Sequence, residues 1–137
     1  MNVRASTAEP PVPAQVIEPA TQIRERTTVS EAEGDWLCAF CLTRVANERD
    51  RFAYDGRDEF SFVNPEGIHF EILTFSRTHD CRQAGIPTLD HTWFAGHAWS
   101  YCHCGGCGQH LGWFYIGQRE FAGLIKTRLV RALCLRN

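Results

Sequence analysis

The sequence predicts a single, mainly β domain. Three observations predict it: a period-two alternation beyond a turn, a second aromatic-rich stretch of strand composition, and a length that suits one core. The chain has 137 residues, within the usual span of about 100–200 residues per domain. Phe60, Phe62 and Val63 run into Asn64-Pro65-Glu66-Gly67, whose residue types are those of a turn. Beyond it Ile68, Phe70 and Ile72 alternate with His69, Glu71 and Leu73, which is the period of a strand. The two segments make a hairpin with Asn64 at its tip. Leu111 to Ile116 is another strand. The C-terminal segment fits two readings. Phe121, Leu124, Ile125, Leu129, Ala132 and Leu133 fall on one face of a helix, while Phe121-Ala122-Gly123-Leu124-Ile125 equally suits a short strand.

Residues 1–34 stand apart. They hold four of the six prolines (Pro10, Pro11, Pro13, Pro19) and no aromatic or cysteine. Such a stretch buries too little apolar surface to offset its ordering entropy. A disordered tail is expected over 1–34 and a compact domain over 35–137.

Charge and composition exclude several classes of partner. The formal net charge is −2, so no basic field invites nucleic acid or anionic lipid. No apolar run is long enough to span a membrane, and the N-terminus has no stretch of signal-peptide character. Of seven cysteines, an odd number, four sit in two C-x-x-C pairs. Without an export signal that pattern favours metal over disulfides. A cytoplasmic, monomeric protein is expected.

The pairs are Cys38-Ala39-Phe40-Cys41 and Cys104-Gly105-Gly106-Cys107. Two residues between cysteines let one tight turn supply two thiolates, and zinc takes four of them as a tetrahedron at about 2.3 Å. The glycines of the second pair allow backbone amides to point at sulfur without steric cost. With 62 residues between the pairs, the metal closes a loop containing most of the domain. One structural Zn2+ held by Cys38, Cys41, Cys104 and Cys107 is expected, with no position left open for water or substrate. The competing reading, a redox C-x-x-C, needs one such motif at a helix N-terminus. Cys81 and Cys134 read as small buried hydrophobes.

Trp93, Trp99, Trp113 and Tyr115 crowd one stretch. Trp113 and Tyr115 are two apart on a strand and share a face. These rings either fill a core or wall a preorganised site for a small flat or cationic group. With Asp90 nearby, both kinds of ligand stay open.

The order of motifs is distinctive. His91-Thr92-Trp93-Phe94-Ala95-Gly96-His97-Ala98-Trp99, then the second cysteine pair, then His110-Leu111-Gly112-Trp113-Phe114-Tyr115, resembles the thalidomide-binding CULT domain family typified by cereblon. Cys38-x-x-Cys41, the Asn64-Pro65 turn and Phe121-Ala122-Gly123-Leu124 fall where that family has its first knuckle, its ligand-side loop and its closing segment. The resemblance covers about residues 35–134.

It implies a β-tent fold, two antiparallel sheets meeting at a zinc-pinned apex, and it favours the strand reading of 121–125. It implies a cage for a cyclic imide such as glutarimide, with Trp93, Trp99 and Trp113 as walls and Tyr115 at the base. The imide N–H would donate to the backbone carbonyl of His91, and the Trp93 N–H would donate to one imide carbonyl. Asn64 and Pro65 would line the rim. Cyclic imides at the C-termini of damaged proteins fall within the same ligand class. The sequence departs from the family pattern at Ala95, where proline is usual, and at His97, where tyrosine is usual. Losing that proline is expected to loosen the loop by a few tenths to about 1 kcal/mol.

The 34 residues ahead of the domain cannot supply the Lon-like and helical regions of full cereblon, so no ubiquitin-ligase adaptor is expected as a partner. The chain resembles the single-domain, stand-alone members also found in bacteria. A binding module rather than an enzyme is expected. Two alternatives are a redox enzyme related to zinc-bearing methionine sulfoxide reductases, using Cys81, Cys102 or Cys134, and an interaction cage for a methylated or cationic side chain.

Overall fold

The turn at Asn64 and the alternation around it organise one end of a large sheet. A computed structural model describes residues 32–135. The tail expected over 1–34 lies outside the described residues as far as residue 31, and Ala32–Gly34 form a short 3-10 turn. Nine strands follow in order. They are β1 (Asp35–Cys38), β2 (Arg44–Asn47), β3 (Glu59–Val63), β4 (His69–Phe75), β5 (Cys81–Thr88), β6 (Ala98–Cys104), β7 (His110–Ile116), β8 (Glu120–Ile125) and β9 (Leu129–Arg131).

The strands form two antiparallel sheets. One has three strands in the order β2-β1-β9, the other six in the order β3-β4-β8-β7-β6-β5. The fold is mainly β, as the sequence predicts. No helix among the described residues is long and apolar enough to cross a membrane.

The large sheet is covered on both faces. Leu73, Phe75, Cys102, Cys104, Leu111, Ala122 and Leu124 pack with Trp36, Cys38, Val45, Ala46 and Leu129 of the small sheet. Phe60, Ile72, Trp113, Tyr115, Phe121 and Ile125 pack instead around Phe94 from the loop before β6. Consecutive residues of β8 therefore enter different cores, and Phe121 through Ile125 are all buried. A strand covered on both faces loses its period-two pattern, which is why 121–125 also fits a helix. The stretch is a strand, and a short 3-10 turn, Lys126–Arg128, leads from it into β9. β4 behaves likewise: its alternation ends at Ile72, from which every residue to Phe75 is buried.

The β3–β4 hairpin is where the sequence places it. Val63 pairs with His69, Gly67 N–H donates to the Asn64 carbonyl at 2.9 Å, and Asn64 N–H donates to Ile68 O at 2.9 Å. Pro65-Glu66-Gly67 is thus a three-residue tip, closed by Gly67 at φ 85°. That is the usual glycine position of such a loop.

Candidate metal centre and ligand cavity

The two C-x-x-C turns are built alike. Cys38 N–H donates to Thr43 O at 2.9 Å and Leu42 N–H to Cys38 O at 2.8 Å. At the second turn Cys104 N–H donates to Gln109 O and Gly108 N–H to Cys104 O, both at 2.8 Å. The residue after each second cysteine is left-handed: Gly108 at φ 81° and Leu42 at φ 65°. A left-handed conformation costs a non-glycine residue about 1–2 kcal/mol, so the first turn carries strain that the second avoids. Gly106 N–H points at Cys104 Sγ at 3.3 Å. A Cβ on Gly106 would collide with the Thr43 side chain and crowd Cys41 Sγ, so only glycine fits where the knuckles approach.

The four ligand atoms lie within 4.8 Å of one another. Cys38 Sγ is 3.7 Å from Cys107 Sγ, and Cys41 Sγ is 3.5 Å from Cys104 Sγ. A tetrahedron with metal–sulfur bonds of about 2.3 Å has sulfurs about 3.8 Å apart, so the cluster fits a metal ion with four thiolate ligands. Burial pushes the Cys38 thiol up to about 12. Hydrogen bonds from Thr43, whose hydroxyl is 3.0 Å from the sulfur, bring Cys41 down to about 6. Cys38 ends β1 of the small sheet and Cys104 ends β6 of the large one, so the cluster joins the two sheets.

The second feature is a cavity of about 320 Å³. Trp93, Trp99 and Trp113 line it, together with Asn64, Pro65 and His91. The Trp93 and Trp113 rings stand 5.0 Å apart at 78°. Phe62 stacks behind Trp93 at 4.8 Å. Phe70 abuts Trp113 edge-on at 5.4 Å. Trp99 is held by its indole N–H, which donates to the Asp90 carbonyl at 2.7 Å. Asn64 Oδ1 accepts the backbone N–H groups of Glu66 and Ile68 at 3.0 and 2.9 Å. That leaves the Asn64 NH₂ as its donor.

The loop before β6 positions Trp93. Thr92 Oγ1 donates to His97 O at 2.6 Å, and Thr92 N–H donates to Leu89 O at 3.2 Å. His91 sits at φ 59°, another left-handed non-glycine position. Its place on the cavity wall fits the tendency of such strain to gather at ligand clamps. His97 is 4% exposed. Its Nδ1 lies 3.0 Å from Ala95 O, and its Nε2 accepts the Arg119 N–H at 3.4 Å. Only the Nδ1–H tautomer satisfies both contacts. The two departures from the family pattern therefore meet in one hydrogen bond, in which His97 ties down the Ala95 backbone that lacks the proline.

Tyr115 does not reach the cavity. It pairs across strands with Trp99 and shares a face with Trp113, as its spacing implies. Phe94 lies over it at 4.7 Å and 73°, and Phe121 stacks on it at 5.2 Å. Tyr115 is 2% exposed and supports the floor from within the core. Residues that the spacing did not single out also line the cavity: Glu66, Phe70, Tyr101 and His110. Tyr101 could have been found from register, since it lies opposite Trp113 on β6. The His110 nitrogens are both engaged, one 2.9 Å from Gly112 O and the other 3.3 Å from Arg128 Nη1. Burial and the Arg128 charge hold its pKa below the ordinary histidine value. His110 therefore packs nearly perpendicular to Trp113, with ring centroids 5.1 Å apart, and has no free nitrogen to offer a ligand as a base.

Of the cysteines outside the cluster, Cys102 is fully buried and Cys81 packs against the core facing the small sheet. Cys134 is exposed.

No protein-family model matches the chain. Over 76 residues it is 33% identical to cereblon of Gallus gallus, which covers 51% of this chain and 17% of the relative. Cereblon of Xenopus tropicalis is 33% identical over 75 residues, 50% of this chain and 17% of the relative. Cereblon of Drosophila willistoni is 32% identical over 84 residues, 59% of this chain and 14% of the relative. The match thus spans less than a fifth of each relative's length. Joined to the two sheets, the cysteine cluster between them and the tryptophan order along β6 and β7, this likeness supports a cereblon-like CULT domain.

Proposed function

We propose that the cavity binds a cyclic imide of the glutarimide type and that the domain is a binding module rather than an enzyme. One observation carries the reading: Trp93, Trp99 and Trp113 converge on a single cavity with Asn64, Pro65 and His91 at its wall. Indole faces suit the CH₂ groups of a neutral flat ring. The imide N–H requires an acceptor, assigned to the His91 carbonyl. The imide carbonyls require donors, assigned to the Trp93 N–H and the Asn64 NH₂. Leaving such a group unpaired costs about 1–3 kcal/mol, which is how the site would reject a plain cycloalkane. A ligand of about eight heavy atoms has a ceiling near −12 kcal/mol, and micromolar binding needs roughly −8.

Zinc is the ion proposed for the cysteine cluster, held by Cys38, Cys41, Cys104 and Cys107. It would supply a tetrahedral cross-link between the sheets and keep its thiol ligands deprotonated. With four protein ligands, the role assigned to it is structural.

The test is a titration of tryptophan fluorescence with glutarimide, with succinimide and tetramethylammonium as comparators. Glutarimide is expected to saturate between micromolar and low-millimolar concentration. Trp99→Ala, a half-buried position, is expected to abolish binding by ligand-observed NMR while the variant stays folded. A response to tetramethylammonium alone would replace the imide with a cation. No response to any of the three in folded protein would refute a ligand cage.

A further inference from the structure

Glu66 occupies the middle of the hairpin tip and lines the same cavity as the three tryptophans. Its backbone is fixed twice, by its own N–H on Asn64 Oδ1 at 3.0 Å and by the Asn64–Gly67 turn at 2.9 Å. The carboxylate is thus tethered to a rigid rim. Among the described residues, none pairs with that carboxylate. Among the described residues, the rest of the wall is aromatic rings, Pro65, Asn64 and two histidines, with no lysine or arginine.

Volume points the same way as charge. An eight-heavy-atom ring takes less than about 240 Å³, even at a water molecule's share of roughly 30 Å³ per heavy atom. The cavity holds about 320 Å³, so a ring of that size leaves part of it unfilled. Among the described residues, the only acid on the cavity wall, Glu66, stands at the hairpin tip.

We propose that Glu66 is a specificity-determining residue that makes the cavity prefer cyclic imides bearing a cationic substituent. This rests on the imide reading of the cavity. The ligand class is an imide ring whose ring-carbon substituent carries an ammonium or guanidinium group. A peptide ending in a cyclic imide with a basic residue just before it belongs to that class. Glu66 is exposed, so its effect is the modest one of a solvent-facing ion pair, about a two- to five-fold change in Kd, and salt screens it.

Two isosteric probes test it. Glutarimide acylated on a 3-amino group with betaine carries a permanent trimethylammonium. The same compound made with 3,3-dimethylbutanoate replaces the quaternary nitrogen by carbon. The cationic probe is expected to bind about two- to five-fold tighter at low salt. The ratio is expected to fall toward one in 0.5 M NaCl and in Glu66→Gln, and to invert in Glu66→Lys. A ratio of one in the wild type, or a preference that survives Glu66→Gln, overturns the proposal. Betaine amide without the imide controls for a cation entering the cage itself, and equal binding of it also overturns the proposal. Plain glutarimide on wild-type protein tests the imide reading separately: if it does not bind, that reading falls, and this inference with it.

Discussion

The cysteine cluster is made from two copies of one short motif, whereas the cavity is gathered from four separate segments. Each knuckle closes itself with the same pair of backbone hydrogen bonds. The cavity needs the β3–β4 hairpin, the loop before β6, β6 and β7 all in place. The dependence runs one way. β6 carries Trp99 and ends in Cys104, so the cluster anchors the strand that walls the cavity. No knuckle cysteine lines the cavity. A site made of local turns can specify itself, while a site made of distant segments inherits its geometry from the fold.

The largest expected effect breaks both regions at once. Chelating the proposed zinc, or making Cys104→Ser, is expected to cost about 3 kcal/mol or more and to abolish the cooperative thermal transition. Near-UV circular dichroism should report the loss, since the tryptophans lose their fixed surroundings along with the cluster. A chelated protein that keeps its full transition and still binds glutarimide would contradict the one-way dependence.

A smaller effect concerns two partly buried histidines, His110 on the cavity wall and His79 away from it. His79 and His110 both titrate below the ordinary histidine value, chiefly because burial penalises the charged ring. Arg44 and Arg77 add to this at His79, and Arg128 does so at His110. The unfolded chain, with histidines near 6.5, therefore binds more protons than the folded one below that pH. Stability contributed by these groups is complete above about 6.5 and is lost as pH falls below it. The melting temperature is expected to drop between pH 7 and 5.5. His110→Gln, whose amide can still donate to Gly112 O, should flatten part of that drop. A drop unchanged by both His110→Gln and His79→Gln would assign it to other groups.

Legibility in the sequence follows the same division. The knuckles could be read from spacing because a C-x-x-C turn is complete within a few residues. The hairpin could be read because Asn64-Pro65-Glu66-Gly67 encodes its own turn. The 121–125 segment could not be settled from periodicity, since Ala122 and Leu124 face one core while Phe121 and Ile125 face the other. Trp93, Trp99 and Trp113 were legible as a group, through resemblance rather than through spacing alone. The resemblance places Tyr115 at the cage base, but Phe94 from a separate loop covers it. Phe62 and Phe70, which brace the cage, looked like ordinary strand residues. Nothing local distinguishes a phenylalanine that backs a tryptophan from one that fills a core.

The most direct measurement compares glutarimide with N-methylglutarimide by isothermal titration calorimetry on zinc-loaded, folded protein. The methyl group removes the one donor assigned to the His91 carbonyl and keeps the ring. Binding is expected to weaken about tenfold, the equivalent of one lost hydrogen bond at about 1.4 kcal/mol. Equal binding of the two would mean that the tryptophans take any small flat ring, and that the cavity does not read an imide.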